Sequence, residues 1–338
     1  MYFRVLLFFC ILFAGCATNP NGAAAPHNLL PDPTFSQWLS IRGLGQPDDD
    51  GEIKGVFRTA NPVGAPVWTI AQWASKFSLA DQTVTQQRQL DAFRFQAANP
   101  SKRVTVDCRH GEIDLGLFAS ACYDQPRRAG ERWPHLLAQT TLTDTRYPSR
   151  SCRLAEIQRL DVALSCRLES FADKHPGANP KLHAAQFQLF LIVQNLTRGD
   201  DGYGDMMWFG IPIFDNRYPV KAESFSRDGG KPDASGKFIY SLDGKTCLVD
   251  GKGFFKNEKL LAGKDARWVD LRVNVAPWIE YAFRLAQKNG FLRTTELGDL
   301  YVSGLNLGWE MPGAYDAVMQ VRDFSLTSTP KPLKATQP

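Results

Sequence analysis

No cluster of lysine and arginine interrupts this sequence. Its 39 basic and 35 acidic residues leave a formal charge of +4 over 338 residues, spread along the chain. That argues against the concentrated basic footprint a nucleic-acid partner requires. Cys-x-x-Cys and Cys/His ligand spacings are missing from its seven cysteines, which argues against a structural zinc site. No apolar run is long enough for a comfortable helical membrane span, since the longest falls inside the first sixteen residues. What is abundant is apolar and aromatic. A 43% hydrophobic and 22% charged composition is that of a globular chain with a real core. Eight Trp and 22 Phe suit a β-rich interior or a surface that stacks on rings.

The amino-terminal stretch Met1–Cys16, MYFRVLLFFCILFAGC, has one basic residue, an apolar run, then small residues before a cysteine. This is the pattern of a secretory signal. Phe13-Ala14-Gly15-Cys16 resembles the bacterial lipobox, with Phe13 where leucine is usual. The resemblance implies that Cys16 becomes the first mature residue and carries diacylglycerol and palmitate. Ala17, where aspartate would signal inner-membrane retention, implies the outer membrane. Acyl chains contribute about 0.8 kcal/mol per buried CH₂, enough in combination to hold a protein on a bilayer. A plain signal peptide cut nearby is the other reading. Residues 17–27 read as a flexible tether.

In an exported protein Cys108, Cys122, Cys152, Cys166 and Cys247 are disulfide candidates. Five is odd, so at most two bridges form. The spacing repeated in Cys108–Cys122 and Cys152–Cys166 suggests a pairing without fixing it.

The chain is organised around residues 183–215. Phe187, Leu189, Leu191 and Val193 alternate with Gln186, Gln188 and Gln194 over 186–196, a half-buried strand. Residues 198–205 are Gly/Asp-rich turn chemistry, and a second apolar run, 206–214, follows. Other strands are expected at 67–80, 88–98, 103–108, 113–121, 136–143, 156–168, 267–275, 299–310 and 317–326. Residues 42–66 and 123–134 read as loop. The polar segment 217–236 is long enough to be functional. One helix is expected at 277–289, with Pro277 at its start and Gly290 at its end. Trp278, Ile279, Ala282, Phe283 and Ala286 share one face. The expected fold is all-β: a two-sheet antiparallel jelly-roll-like sandwich with one helix near the C-terminus. It forms a single domain over 28–329, followed by a disordered tail, 330–338.

Asn28-Leu29-Leu30, Phe35 and Trp38 resemble the opening of secreted carbohydrate-binding jelly rolls. The resemblance implies a lectin-like sandwich. Ser36 stands where those proteins often carry a calcium-holding Glu. Gly111-Glu112-Ile113-Asp114-Leu115 resembles the catalytic strand of a family of β-sandwich glucanases, but Leu117 occupies the place of its third carboxylate. Glu112 and Asp114 could still do acid/base work on a glycosidic bond; the bland reading is a solvated hairpin face. Two acidic groups suit calcium, which takes clustered carboxylates: Asp200, Asp201 and Asp205, and the run Asp48-Asp49-Asp50-Gly51-Glu52. The commoner reading of either group is a solvated turn or loop.

Sorting the strands by parity separates a core from a polar side. That side carries Gln186, Gln188, Gln194, Trp268, Asp270, Arg272, Gln320 and Arg322, with Asn306 and Glu310 beside Gly304 and Gly308. Trp208 is a further aromatic candidate. Amides, an acid–guanidinium pair, tryptophans and glycine clearance match how sugars are held. Any antiparallel sheet with one wet face also alternates this way. The leading expectation is a surface-anchored lipoprotein that binds a polysaccharide or glycoconjugate without catalysis. The alternative is a glycoside hydrolase or polysaccharide lyase using Glu310, Asp270 and Asp215, or Glu112 with Asp114. A third is an assembly lipoprotein with an exposed apolar patch for another protein.

Overall fold

The computed structural model describes residues 25–45, 51–59, 64–174, 177 and 179–332. The leader with Cys16, most of the tether, Asp48–Asp50 and the last six residues lie outside these. Among the described residues the chain begins with β1 (His27–Asn28), β2 (Leu39–Arg42), β3 (Ile53–Phe57), β4 (Trp68–Ala71), β5 (Gln86–Gln89), β6 (Arg94–Asn99), β7 (Lys102–Asp107), β8 (Glu112–Phe118) and β9 (His135–Thr141). It continues through β10 (Ile157–Asp173), β11 (Gln186–Asn195), β12 (Met206–Asp215), β13 (Ser224–Arg227), β14 (Phe238–Ser241) and a short helix α1 (Gly244–Cys247). A ribbon of β15 (Phe255–Lys256) and β16 (Lys259–Leu260), then β17 (Trp268–Asn274), helix α2 (Ala276–Lys288), β18 (Leu300–Glu310) and β19 (Tyr315–Pro330) complete it.

Two large sheets face each other. The front sheet runs β13-β14-β12-β11-β18-β9-β4-β2-β3. The back sheet runs β17-β10-β19-β8-β7-β6-β5, with β1 added along β19. The expected two-sheet sandwich is therefore present, antiparallel except that β14 runs parallel to β12 and β4 to β2. A connection long enough to return to the starting end permits such a pair, and residues 216–237 are long enough to do so.

Period-two burial explains the layers. Phe187, Leu189, Leu191 and Val193 of β11 and Leu305, Leu307 and Trp309 of β18 are wholly buried from the front sheet. Ile113, Leu115, Leu117, Met319 and Val321 meet them from the back. Trp309 ties the layers together, because its indole N–H donates to the Leu115 carbonyl at 2.8 Å and its ring meets Phe187 edge-on. Trp309→Ala should therefore destabilise the fold by about 3–5 kcal/mol, and Trp309→Phe by clearly less. Urea unfolding followed by fluorescence and circular dichroism would measure both.

Helix α2 buries Ile279, Ala282, Phe283 and Ala286, with Pro277 in its first turn and Gly290 at φ +85° just beyond its end. Elsewhere side chains displaced the expected backbone ladder. The strand expected at 67–80 stops at Ala71 because Gln72 takes over: its amide donates to Arg42 O at 2.7 Å and accepts from Leu79 N at 2.8 Å. The strand expected at 88–98 is a hairpin, its turn closed by Asp91 accepting from Phe93 N and Arg94 N. β3 falls in the segment expected to be loop. At the carboxyl end β19 runs to Pro330, and Lys331 N donates to Glu156 O at 2.7 Å.

Neither suggested disulfide is present. Cys122, Cys152, Cys166 and Cys247 are free thiols, and Cys108 Sγ lies 3.5 Å from Phe35 O. Burial pushes Cys152 up to about 11 and Cys247 up to about 12, so both stay protonated and inert. Among the described residues no helix is long and apolar enough to cross a membrane.

Candidate functional site

The outer face of the front sheet is a recess of about 690 Å³. Its floor is laid in cross-strand rows over β9, β18, β11 and β12. The first row is His135, Glu310, Gln186 and Asp215; the second Leu137, Gly308, Gln188 and Pro212; the third Gln139, Asn306, Phe190 and Gly210. Successive rows are about 7 Å apart, two residues of strand rise. One wall comprises Trp73, Arg132 and Trp133; the other is the segment around β13, including Lys221, Phe225, Arg227 and Lys231.

Glu310 is the chemical centre. Its side chain is 23% exposed and lines the recess. Trp133 Nε1 donates to Oε2 at 3.4 Å, and His135 Nε2 lies 3.6 Å from the same oxygen. Burial alone would raise its pKa. The His135 ring, Lys231 and the Trp133 N–H outweigh that and hold Glu310 down to about 2. Lys231 Nζ sits 3.3 Å from His135 Nε2 and 4.6 Å over the Trp133 ring. The imidazole nitrogen thus faces an ammonium and a carboxylate and can serve one at a time. His135 Nδ1 is buried without a partner among the described residues.

The loops hold this arrangement in place. Arg127, in the segment expected to be a basic solvent loop, is buried. It donates to Glu131 O and Leu182 O and stacks 4.7 Å over Trp133. The strap above the floor is tied across by Asp233 to Arg132 at 3.3 Å. It is also tied by Asp228, which accepts from Ser235 N and Oγ at 2.6 Å, while Trp208 Nε1 donates to Ser235 Oγ at 3.3 Å. Trp208 meets Phe190 edge-on at 6.1 Å. On the floor Gln139 donates to Asn306 at 2.9 Å and Gln186 to Asp215 at 2.9 Å. Gln188 Oε1 is buried with no partner among the described residues.

Gln186, Gln188, Trp208, Asn306 and Glu310 therefore line one recess. The other candidates do not join them. Trp268, Asp270, Arg272, Gln320 and Arg322 lie on the outer face of the back sheet, because a sandwich has two wet faces and parity does not distinguish them. There Trp268 is capped by Arg322 at 3.9 Å and Arg167 at 4.9 Å, which covers the ring a sugar would need. Asp270 accepts from Ser165 at 2.5 Å. Gln320 receives Arg167 at 2.6 Å and donates to Asp114 at 3.1 Å. Asp270 and Glu310 are thus on opposite sides of the molecule and cannot form a catalytic pair. Asp215 is bound by Arg217 at 2.6 Å, and Glu112 and Asp114 belong to the back sheet. Gln194 reaches Gly204 O at 3.5 Å, outside the recess.

The glycines also serve another purpose than clearance for a guest. A Cβ on Gly308, at φ +153°, would stand 2.1 Å from Leu136 O, and one on Gly304 3.0 Å from Thr140 O. Both make room for the backbone of β9. The acidic loop closes on itself: Asp200 accepts from the Asn195 amide and Gly202 N, and Asp205 pairs with Lys237 at 3.4 Å. Among the described residues no group of three His, Cys, Asp or Glu side chains could hold a metal ion. Of the second acidic run, Asp48–Asp50 fall outside the described residues and Glu52 pairs with Lys54 at 3.0 Å. Asp32, beside Ser36, accepts from Ser36 N and Gln37 N and turns the chain.

No known family profile matches the sequence, and no curated protein matches it. Among solved structures, an endoglucanase of Rhodothermus marinus aligns over 73% of this chain and 100% of its own at 10% identity and a TM-score of 0.37. A family 11 xylanase from Neocallimastix patriciarum aligns over 73% and 96% at 8% identity and 0.35. A metagenome-derived glycoside hydrolase family 12 endoglucanase aligns over 78% and 99% at 13% identity and 0.36. Likeness at that level says nothing of what this chain binds.

Proposed function

We propose that the front-sheet recess binds a glycan chain. The observation that carries this reading is the composition of one open recess: indole and phenyl rings along its walls, with amides and an ionised carboxylate on its floor. Rings stack on the apolar faces of sugars, and Gln188 Oε1, buried without a partner, needs a hydroxyl donor. Affinity electrophoresis against a polysaccharide panel tests it. Retardation by at least one polysaccharide, lost in Trp208→Ala, is expected. No retardation by any would overturn it.

Hydrolysis is the second reading, favoured by Glu310 alone. A carboxylate held ionised down to about 2 suits a nucleophile more than a general base, whose pKa would lie nearer the working pH. The other carboxylates lining the recess, among the described residues, are Asp228 and Asp233; Asp233 is occupied by Arg132, and Asp215, at the end of the first floor row, is held by Arg217. Release of reducing ends that disappears in Glu310→Gln would establish this reading; binding without release would leave the first.

The amino-terminal pattern supports placing the domain on the outer membrane through lipidated Cys16. Detergent partitioning should move the protein from the detergent to the aqueous phase in Cys16→Ser. An unchanged partition would remove the anchor.

A further inference from the structure

Seven charged side chains line the recess besides His135, and their pairing is uneven. Lys231 faces Glu310 and His135, and Arg132 is matched by Asp233. Among the described residues Lys221 and Arg227 have no carboxylate of their own within ion-pair distance. Arg227 donates to Gly236 O at 3.2 Å, while Lys221 is half-buried and, among the described residues, makes no side-chain hydrogen bond. Both stand on the same wall, at the start of the strap and at the end of β13. Sequestering an ammonium from water without a partner is unfavourable, and burial indeed lowers the Lys221 pKa although Asp215 and Glu310 pull it upward. The floor beneath offers Gln188 Oε1, also unmatched.

We infer that the recess takes an anionic glycan, with Lys221 and Arg227 receiving its carboxylate or sulfate groups while the aromatic walls hold its rings. This rests on the glycan reading above and narrows it. A charged hydrogen bond in such a position carries about 1.5–3 kcal/mol, so losing it weakens binding by roughly ten- to a hundredfold. Neutral sugars offer Lys221 only hydroxyl acceptors and gain less from it than a carboxylate or sulfate does.

The test compares polygalacturonate and alginate, dextran sulfate, and a neutral xyloglucan and mixed-linkage glucan, by affinity electrophoresis and calorimetry. The parent should prefer an anionic polymer. Lys221→Met should weaken that polymer about tenfold, weaken neutral polymers clearly less, and leave the unfolding midpoint no lower than the parent's. Arg227→Gln, at an exposed position, gives the same reading should Lys221→Met not fold. Lys259→Met, on the β15–β16 ribbon and outside the recess lining, is the control for unspecific attraction to polyanions and should have no effect. Preference for polyuronate over dextran sulfate assigns the carboxylate, and the reverse assigns the sulfate. Equal or better binding of neutral polymers, or an unaltered affinity in both variants, overturns the inference and leaves the glycan reading intact. Absence of binding to every polymer overturns both.

Discussion

Glu310→Gln should cost about 3 kcal/mol of stability at pH 7 and almost nothing near pH 2. Glu310 is held at about 2 against an ordinary 4.5, and each unit of displacement is worth about 1.4 kcal/mol. Its folded pKa is depressed, so its contribution is complete above the unfolded value. It is lost as pH falls from about 4.5 through 2. The parent should therefore show a steep acid limb in that window, and the variant should not. Glutamine is nearly the same shape and can still accept from Trp133 Nε1, so packing is preserved and the charge is what changes. It leaves Lys231 and His135 facing each other without their shared anion, an arrangement that is costly when enclosed. Urea titrations at pH 7, 4 and 2.5 measure the difference; a gap that stays constant with pH would show that the charge cluster contributes nothing. The same variant separates the two functional readings. A binder keeps its affinity within a few-fold, because the amide still hydrogen-bonds. A hydrolase loses turnover outright.

What could be read from the sequence divides along a physical line. Strand period is a local property, so Phe187, Leu189, Leu191 and Val193 could be assigned to the core, and Gln186 and Gln188 to the opposite side. All four are wholly buried, and both glutamines line the recess. The helix with Pro277 and Gly290 at its ends lies within a residue of its expected bounds. Parity, however, says which side of a strand is wet and nothing about which sheet the strand joins. Trp268, Arg322 and Gln320 carry the same alternation as Gln188 and lie on the other outer face of the molecule. Half the site was illegible for a different reason. Trp133, Lys221 and Lys231 sit in aperiodic segments, and only the folded chain brings them to Glu310. A weak signal existed in the length of the 217–236 segment and in the Trp133-Pro134-His135 tripeptide at a strand start. Glycine misled for a third reason: Gly304 and Gly308 do mark a close approach, but of the neighbouring strand.

Asp114→Asn should stabilise the protein, and increasingly so as pH rises. Asp114 is 4% exposed on the outer face of the back sheet. Burial raises its pKa to about 7, helped by Glu112 and Glu169 and opposed by Gln320 and Arg103. A carboxyl whose folded pKa lies above its unfolded value of 3.8 binds a proton in the native state that the unfolded chain has already released. Its effect on stability is absent below about pH 4, grows unfavourable between 4 and 7, and levels off above. A shift of that size corresponds to roughly 4 kcal/mol of penalty at pH 8. Asparagine is neutral throughout and can still accept from Gln320 Nε2, now 3.1 Å from the acid. The variant should therefore gain roughly 2–4 kcal/mol at pH 8 and be close to neutral at pH 4. Glu112→Gln, which removes a neighbouring charge and keeps Asp114, should give a smaller gain with the same pH profile, because it lowers the Asp114 pKa without abolishing the titration. Paired denaturation curves at the two pH values would decide it. A loss of stability at pH 8 would mean that the ionised carboxylate is already compensated by Arg103, which itself contacts Glu169 at 2.6 Å. In that case the raised pKa would have no place in the folded protein.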